Sequence, residues 1–456
     1  MQHPKIVIVG AGSLFFGRKA IWQAVHSPVL RHGTLALVDT DETRLNKMAA
    51  LARKVIDHHD APLAFEASTD RRQVLRDADF VVLSFAYRNA HFRGVDCRLS
   101  EKYGVRMCSG DTIGPGGVFR TLRELPEIFR VCDDVRELCP DAWVINYINP
   151  TAVNGIALRR SYPDLKSFAL CDAQWALRDN MARRAGVPND EKLVLQSAGP
   201  NHFTWLLRAE YDGENLLPRL IDAIASEADA DFNQQAQGGK TQSKGYLNNA
   251  IAIELYHTLG ALATVLGHTK EYVRFYQGHH KIAGAIPPLK LFDVPARVEW
   301  TDSIWRRVDE YLSEQAPIGA FDDEFGPDPA TDVIESMAGG LGKRFFINTF
   351  NRGAVRNMAD DAFLEMYCDL DMNGPRPLAI GEMPRGVRAM CETVLDAHEL
   401  TAQAVREQRL DLVRRAMLVD PLANSVADTD ALIRDLVEAE QEILPQWLTD
   451  TVLTTA

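Results

Sequence analysis

The first thirteen residues constrain this chain most. KIVIVG (5–10) is a short apolar run that ends in glycine, and Ala11-Gly12-Ser13 follow at once. A strand that stops on a Gly-x-Gly turn and opens a helix lets backbone N–H groups approach whatever lies beyond the strand's C-terminal end. The alternation then repeats. TLALVD (34–39), DFVVLSF (79–85), AWVINYINP (142–150) and SFALCD (167–172) read as strands, and 17–30, 41–58 and 121–139 as helices. Runs that are apolar throughout, rather than at every second residue, need cover on both faces. That calls for a parallel sheet with helices on either side. The expected class is α/β, with a doubly wound parallel sheet over residues 1–195.

Residues 196–456 read as an α+β second lobe for substrate binding and oligomerisation. Helical periodicity covers 215–230, 246–266, 387–416 and 428–448, while RFFINTF (344–350) and FLEMYCDL (363–370) read as strands. The polar, glycine-rich stretch 238–245 is expected to be a mobile loop. No Pro/Ser-rich linker divides the halves, so an integrated interface is expected.

Composition narrows the function classes. With 46% hydrophobic and 25% charged residues, a chain of 456 residues can bury a large core. A net charge of −13 disfavours nucleic-acid binding, which needs a basic surface for phosphates. No run approaches the roughly 18 apolar residues of a membrane span. The N-terminus enters a strand directly, without signal-peptide features, so a cytoplasmic protein is expected. Seven cysteines with no C-x-x-C pair suggest neither a disulfide framework nor a zinc cage. Six read as small core residues, and Cys171 is the exception.

Gly10, Gly12 and Ser13 are candidates to cradle a pyrophosphate in a Rossmann-type site. The third glycine of the usual pattern would fall on Phe15; the next one here is Gly17. Asp39 ends the second strand, where a carboxylate accepts both ribose hydroxyls of NAD and repels the 2′-phosphate of NADP. NAD is therefore the expected cofactor. Asn149, in NYINP (146–150), sits at another strand end, where ligands bind in such sheets, and it is a candidate to hydrogen-bond a sugar or the nicotinamide amide of the cofactor. Cys171 and His202 also emerge there. A thiolate and an imidazole can share one divalent ion and leave positions open for substrate.

Several segments together resemble glycoside hydrolase family four. They are GAGS, CSGDTIGPGGVFRTLRELPEI (108–128), NYINPTAVN (146–154), CDAQ (171–174), GPNHFTW (199–205) and NRGAVRNMADDAFLEM (351–366). The resemblance runs over roughly residues 5–445. It implies a fold like lactate and malate dehydrogenases, and a glycosidase that departs from the paired-carboxylate scheme. In that route NAD takes a hydride from C3 of the sugar, a base removes the C2 proton, and the glycosidic oxygen leaves C1. Water then adds and the hydride returns. The resemblance further implies Mn2+ held by Cys171 and His202, Asp172 as general acid, and a sugar pocket lined by Asp111, Asn149, Asn201 and Arg352.

The base is open. Where some family members carry a Tyr, this chain has Ala261 and Leu262. His268 is the nearest titratable group, with Tyr246, Tyr256 and Tyr272 as alternatives. The expected substrate is an α-galactoside, α-glucoside or uronide, with a 6-phospho-α-glucoside as the alternative. Arg88, Arg93, Arg120, Lys240, Lys244 and Arg352 are candidates for an anion pocket. A lactate/malate-type dehydrogenase and a non-catalytic NAD sensor are competing readings. A homodimer or homotetramer is expected from the resemblance.

Overall fold

The computed structural model describes the backbone of residues 1, 3–13, 16–236, 247–277 and 289–454, and their side chains except at 229–236. The stretch 238–245, with Lys240 and Lys244, and Tyr246 lie outside the described residues.

In chain order the strands are β1 (Lys5–Val9), β2 (Thr34–Val38), β3 (Ala64–Ser68), β4 (Phe80–Leu83), β5 (Trp143–Asn146), β6 (Lys166–Ala169), β7 (Leu193–Gly199), β8 (Trp205–Tyr211), β9 (Glu214–Asn215), β10 (Leu262–Ala263), β11 (Arg344–Phe350), β12 (Phe363–Asp371) and β13 (Gly374–Pro377). They form one sheet, in the order β10-β8-β7-β12-β11-β6-β5-β4-β1-β2-β3, with β13 on β12 and β9 on β8. The portion β3-β2-β1-β4-β5-β6 is parallel throughout. This is the doubly wound order with its switch between β1 and β4. From β6 onward the sheet turns antiparallel, starting where Asn348 meets Ala169.

Alternate residues of the central strands feed opposite cores. Ile6, Ile8, Leu35, Leu37 and Val82 pack on one face. Val7, Val9, Ala36, Val38, Val81 and Leu83 pack on the other. Ala402, Val405, Leu412, Leu436 and Leu448 cover that second face. The chain's last helices thus return to the first sheet and complete its core. Strand β7 runs through residues 195–196, where the two halves were expected to divide.

Three expected helices differ in extent. The one expected at 121–139 begins earlier, as Gly114–Leu138, because Pro115 is well suited to a first helical turn. That expected at 387–416 breaks into Arg385–Glu407 and Leu410–Val419, with Gln408 in the left-handed region. The 246–266 stretch contains Asn248–Leu259, which stops at Gly260 (φ +72°) before β10. Helices Asn89–Lys102, Val294–Leu312 and Pro329–Gly339 carry no signal that the periodicity reading caught.

Candidate active site

The turn expected to hold the dinucleotide is made of backbone. Gly10 follows β1 with φ +96°, and a Cβ there would lie 2.4 Å from the Ser84 carbonyl oxygen. Only glycine fits both the dihedral and the space. The Gly12 N–H donates to Asp39 Oδ2 at 2.7 Å, and the Asp41 N–H donates to Asp39 Oδ1 at 2.9 Å. Asp39 therefore stands over the turn with its carboxylate oriented. Ser13 closes the turn, its N–H reaching the Gly10 carbonyl at 2.9 Å. Gly17 takes the place of the missing third glycine for a packing reason: a Cβ there would sit 2.4 Å from the Ala11 carbonyl oxygen.

The other end is made of side chains. Asn149 and Cys171 follow β5 and β6 at their C-terminal ends, and His202 comes from the turn between β7 and β8. Cys171 Sγ lies 3.0 Å from His202 Nε2, and both residues are buried. The Ala173 N–H donates to the sulfur at 3.4 Å. Burial, reinforced by Glu365 and Asp172, holds the Cys171 thiol well above its ordinary value. A bound cation would reverse that preference, since a ligating thiol is deprotonated.

His268, in the short helix Leu266–Thr269, stacks on His202 with ring centroids 3.8 Å apart. One ligand atom each of Asp111, His202 and His268 lies within 4.8 Å of the others. Asn149 Nδ2 donates to Asp111 Oδ2 at 3.2 Å, and Ser109 Oγ donates to Asp111 Oδ1 at 2.8 Å. Arg93 and Arg120 approach Asp111 Oδ2 at 3.4 and 3.6 Å. Burial alone would raise the Asp111 carboxyl, but Arg93, His268, Arg120 and His202 hold it well below the usual carboxylate range.

Other sequence candidates fare unequally. Asn201 is buried and its Nδ2 donates to Glu365 Oε2 at 3.3 Å, so it braces the cluster from behind. Tyr272 is fully buried beside it, donating its hydroxyl to the Asn201 carbonyl at 3.1 Å. Asp172 heads the turn Asp172–Gln174 next to the cluster, but it is exposed. The burial that an acid role near neutrality calls for is absent around it. Arg352 is a correction. It is exposed in the β11–β12 connection, where its N–H bonds the Asp360 carbonyl. Because β11 runs antiparallel to β6, that connection lies at the N-terminal edge of the parallel strands, opposite Cys171. Arg88 pairs with Glu442 on the surface.

Sequence reasoning missed Glu271 and Glu365. Glu271 Oε1 accepts the Ser109 and Gly110 N–H groups at 2.7 and 2.8 Å, which fixes the loop carrying Asp111. Burial pushes both glutamates up to about 7. The one available signal was an acidic residue inside the apolar run FLEMYC of β12.

Residues 5–187 match the model described as "Family 4 glycosyl hydrolase", and residues 197–423 match its C-terminal domain. The chain belongs to glycoside hydrolase family four. An alpha-galactosidase of Bacillus subtilis (strain 168) is 26% identical over 97% of this chain and 99% of its own length. A probable 6-phospho-beta-glucosidase of the same organism is 27% identical over 97% and 98%. The solved structure of a 6-phospho-alpha-glucosidase from gut microorganisms, in complex with NAD and Mn2+, superimposes with a TM-score of 0.81 at 21% identity, covering 97% of this chain and 99% of that one. A Cryptosporidium parvum malate dehydrogenase superimposes with a TM-score of 0.51 at 13% identity, covering 89% and 100%. These likenesses bear out the glycosidase reading and the dehydrogenase-like fold.

Proposed function

We propose that this family-four enzyme cleaves an α-glycoside by oxidation at C3 of the sugar, loss of the C2 proton and elimination across C1 and C2. The observation that carries this is the Cys171–His202 pair, buried at 3.0 Å with Asp111 and His268 beside it.

The residues present fit both cofactors. The Gly10 to Ser13 turn offers a cradle that a Cβ at Gly10 would fill, and Asp39 stands over it for a ribose. Cys171 and His202 offer the thiol and imidazole that would hold a divalent cation such as Mn2+. When bound, the dinucleotide supplies a reversible hydride acceptor and the cation supplies charge stabilisation at neighbouring sugar oxygens.

The chain's own groups do the rest. Asp111 and Asn149, linked at 3.2 Å, accept from and donate to sugar hydroxyls and set the ring's orientation. Asn201 braces the pocket through Glu365. His268 takes the C2 proton, a task suited to imidazole near neutral pH. Asp172, adjacent to Cys171, delivers a proton to the leaving oxygen once substrate covers it. The first unit binds the dinucleotide, and the second supplies His202 and His268. We also propose a homodimer or homotetramer in the cytoplasm, which light scattering and fractionation test.

A second reading concerns the sugar. Arg93 and Arg120 are buried against Asp111, and burial with the nearby Arg93 lowers Arg297 to about 10. Two buried guanidiniums against one carboxylate favour a substrate bearing a negative charge, a uronide or a 6-phosphoglycoside.

The test is turnover of p-nitrophenyl α-glycosides, uronides and 6-phosphoglycosides with NAD, Mn2+ and reductant. Release of p-nitrophenol without NADH accumulation is expected. Stoichiometric NADH would indicate a dehydrogenase instead, and no turnover of any glycoside would overturn the proposal.

A further inference from the structure

A second cluster of metal-ligating side chains lies outside the crevice. His26 ends the helix Gly17–His26, His59 follows the helix Glu42–His58, and Asp322 lies in the turn Ile318–Glu324 of the second lobe. One ligand atom of each lies within 4.8 Å of the other two. Asp322 Oδ1 is 3.3 Å from His26 Nε2 and 3.0 Å from His59 Nε2. The three side chains are each about one-quarter exposed, so small solutes reach them.

The hydrogen bonds define which atom of His26 faces the cluster. His26 Nδ1 lies 2.8 Å from the Trp22 carbonyl oxygen, which can only accept, so Nδ1 carries the proton. In the neutral ring Nε2 is then an acceptor, 3.3 Å from a carboxylate oxygen. Two acceptors that close repel, and a cation shared between them removes the conflict. An imidazole whose other nitrogen donates to a backbone carbonyl is also the usual arrangement around a metal. The spacing agrees. Ligand bonds of about 2.0–2.2 Å in a tetrahedral shell put ligand atoms about 3.3–3.6 Å apart, so the pairs need open by only a few tenths of an ångström around an ion. His26 is held for the task, its ring stacked on Trp22 at 4.5 Å and edge-on to His59 at 4.6 Å. Asp322 is held as well, because Trp22 Nε1 donates to its carbonyl at 3.2 Å.

We propose that His26, His59 and Asp322 form a second metal site, for a borderline divalent cation of the Zn2+ type, with the fourth position open to water. Two imidazoles and one carboxylate suit Zn2+ better than Mn2+. The ion ties the Ile318–Glu324 turn to the first helix, which follows the Gly10–Gly12 turn. That helix is already clamped at its start to the same region, by Arg18 to Glu324 at 3.7 Å and Lys19 to Asp328 at 2.9 Å. The site is therefore structural, and it strengthens the grip of the second lobe on the dinucleotide end.

The experiment counts Zn2+ bound after equilibrium dialysis of the full chain, with melting temperature as a second readout. Cys171→Ser, combined with His202→Ala, serves as background, because Asp111, His202 and His268 could otherwise hold the ion in the crevice. In that background one equivalent of Zn2+ is expected, with a rise in melting temperature. Adding His59→Gln, or separately Asp322→Asn, is expected to weaken Zn2+ at least about tenfold and abolish the rise. Either variant alone suffices should the other fail to fold, as checked by circular dichroism. The proposal is overturned if the background protein, folded, binds no Zn2+, which would leave a proton as the only cation between these groups. It is equally overturned if a folded variant binds Zn2+ as tightly as its background.

Discussion

At one end of the crevice, Gly10, Gly12 and Ser13 present backbone from a single turn, steadied by one carboxylate, Asp39. At the other, Asp111, Asn149, Cys171, His202 and His268 come from five separate segments and meet as side chains, Asn149 half-buried and the rest buried. The first end depends on what is absent, since a Cβ at Gly10 would meet the Ser84 carbonyl. The second depends on what is present, since removing one group leaves buried polar neighbours without partners. A backbone site is vulnerable to added bulk, and a side-chain site to lost atoms.

The widest separation between the two ends is expected from Cys171→Ser or His202→Ala. Turnover should fall at least about 100-fold, as for loss of one preorganised electrostatic group. NAD affinity, read by fluorescence titration, should not change. A parallel loss of NAD binding would mean that the ends are not separable. Gly10→Ala should do the converse. Its left-handed dihedral and the clash with Ser84 together should cost about 3 kcal/mol in urea unfolding and prevent NAD binding. Wild-type stability would show that the turn relaxes freely. Asp39→Ala should weaken NAD about tenfold, the worth of hydrogen bonds to a charged group, and narrow the preference over NADP. Equal affinities before and after would remove the ribose role. The smallest effect belongs to Arg352→Ala, on the opposite edge of the sheet, where kcat/KM should change less than about twofold. A large loss would return Arg352 to the pocket.

The same contrast decides what could be read from sequence. Apolar runs ending in glycine and aspartate exposed β1, β2 and the cofactor end, because a strand and its turn are contiguous in the chain. The parallel order followed from the helices between the runs. The last helices were legible as helices, yet not as cover for the first sheet, because periodicity reports an apolar face and not its partner. Cys171 and His202 were legible through motifs. Glu271 was not, because its role is to hold two backbone N–H groups 161 and 162 residues away. Arg352 was misplaced because a motif carries no information on which edge of a sheet its turn will occupy.

The central claim is elimination through the C2 proton, and substrate deuterated at C2 tests it most directly. Turnover in ordinary water should be slowed, or the recovered sugar should carry solvent hydrogen at C2. A normal rate with the label fully retained would contradict the account.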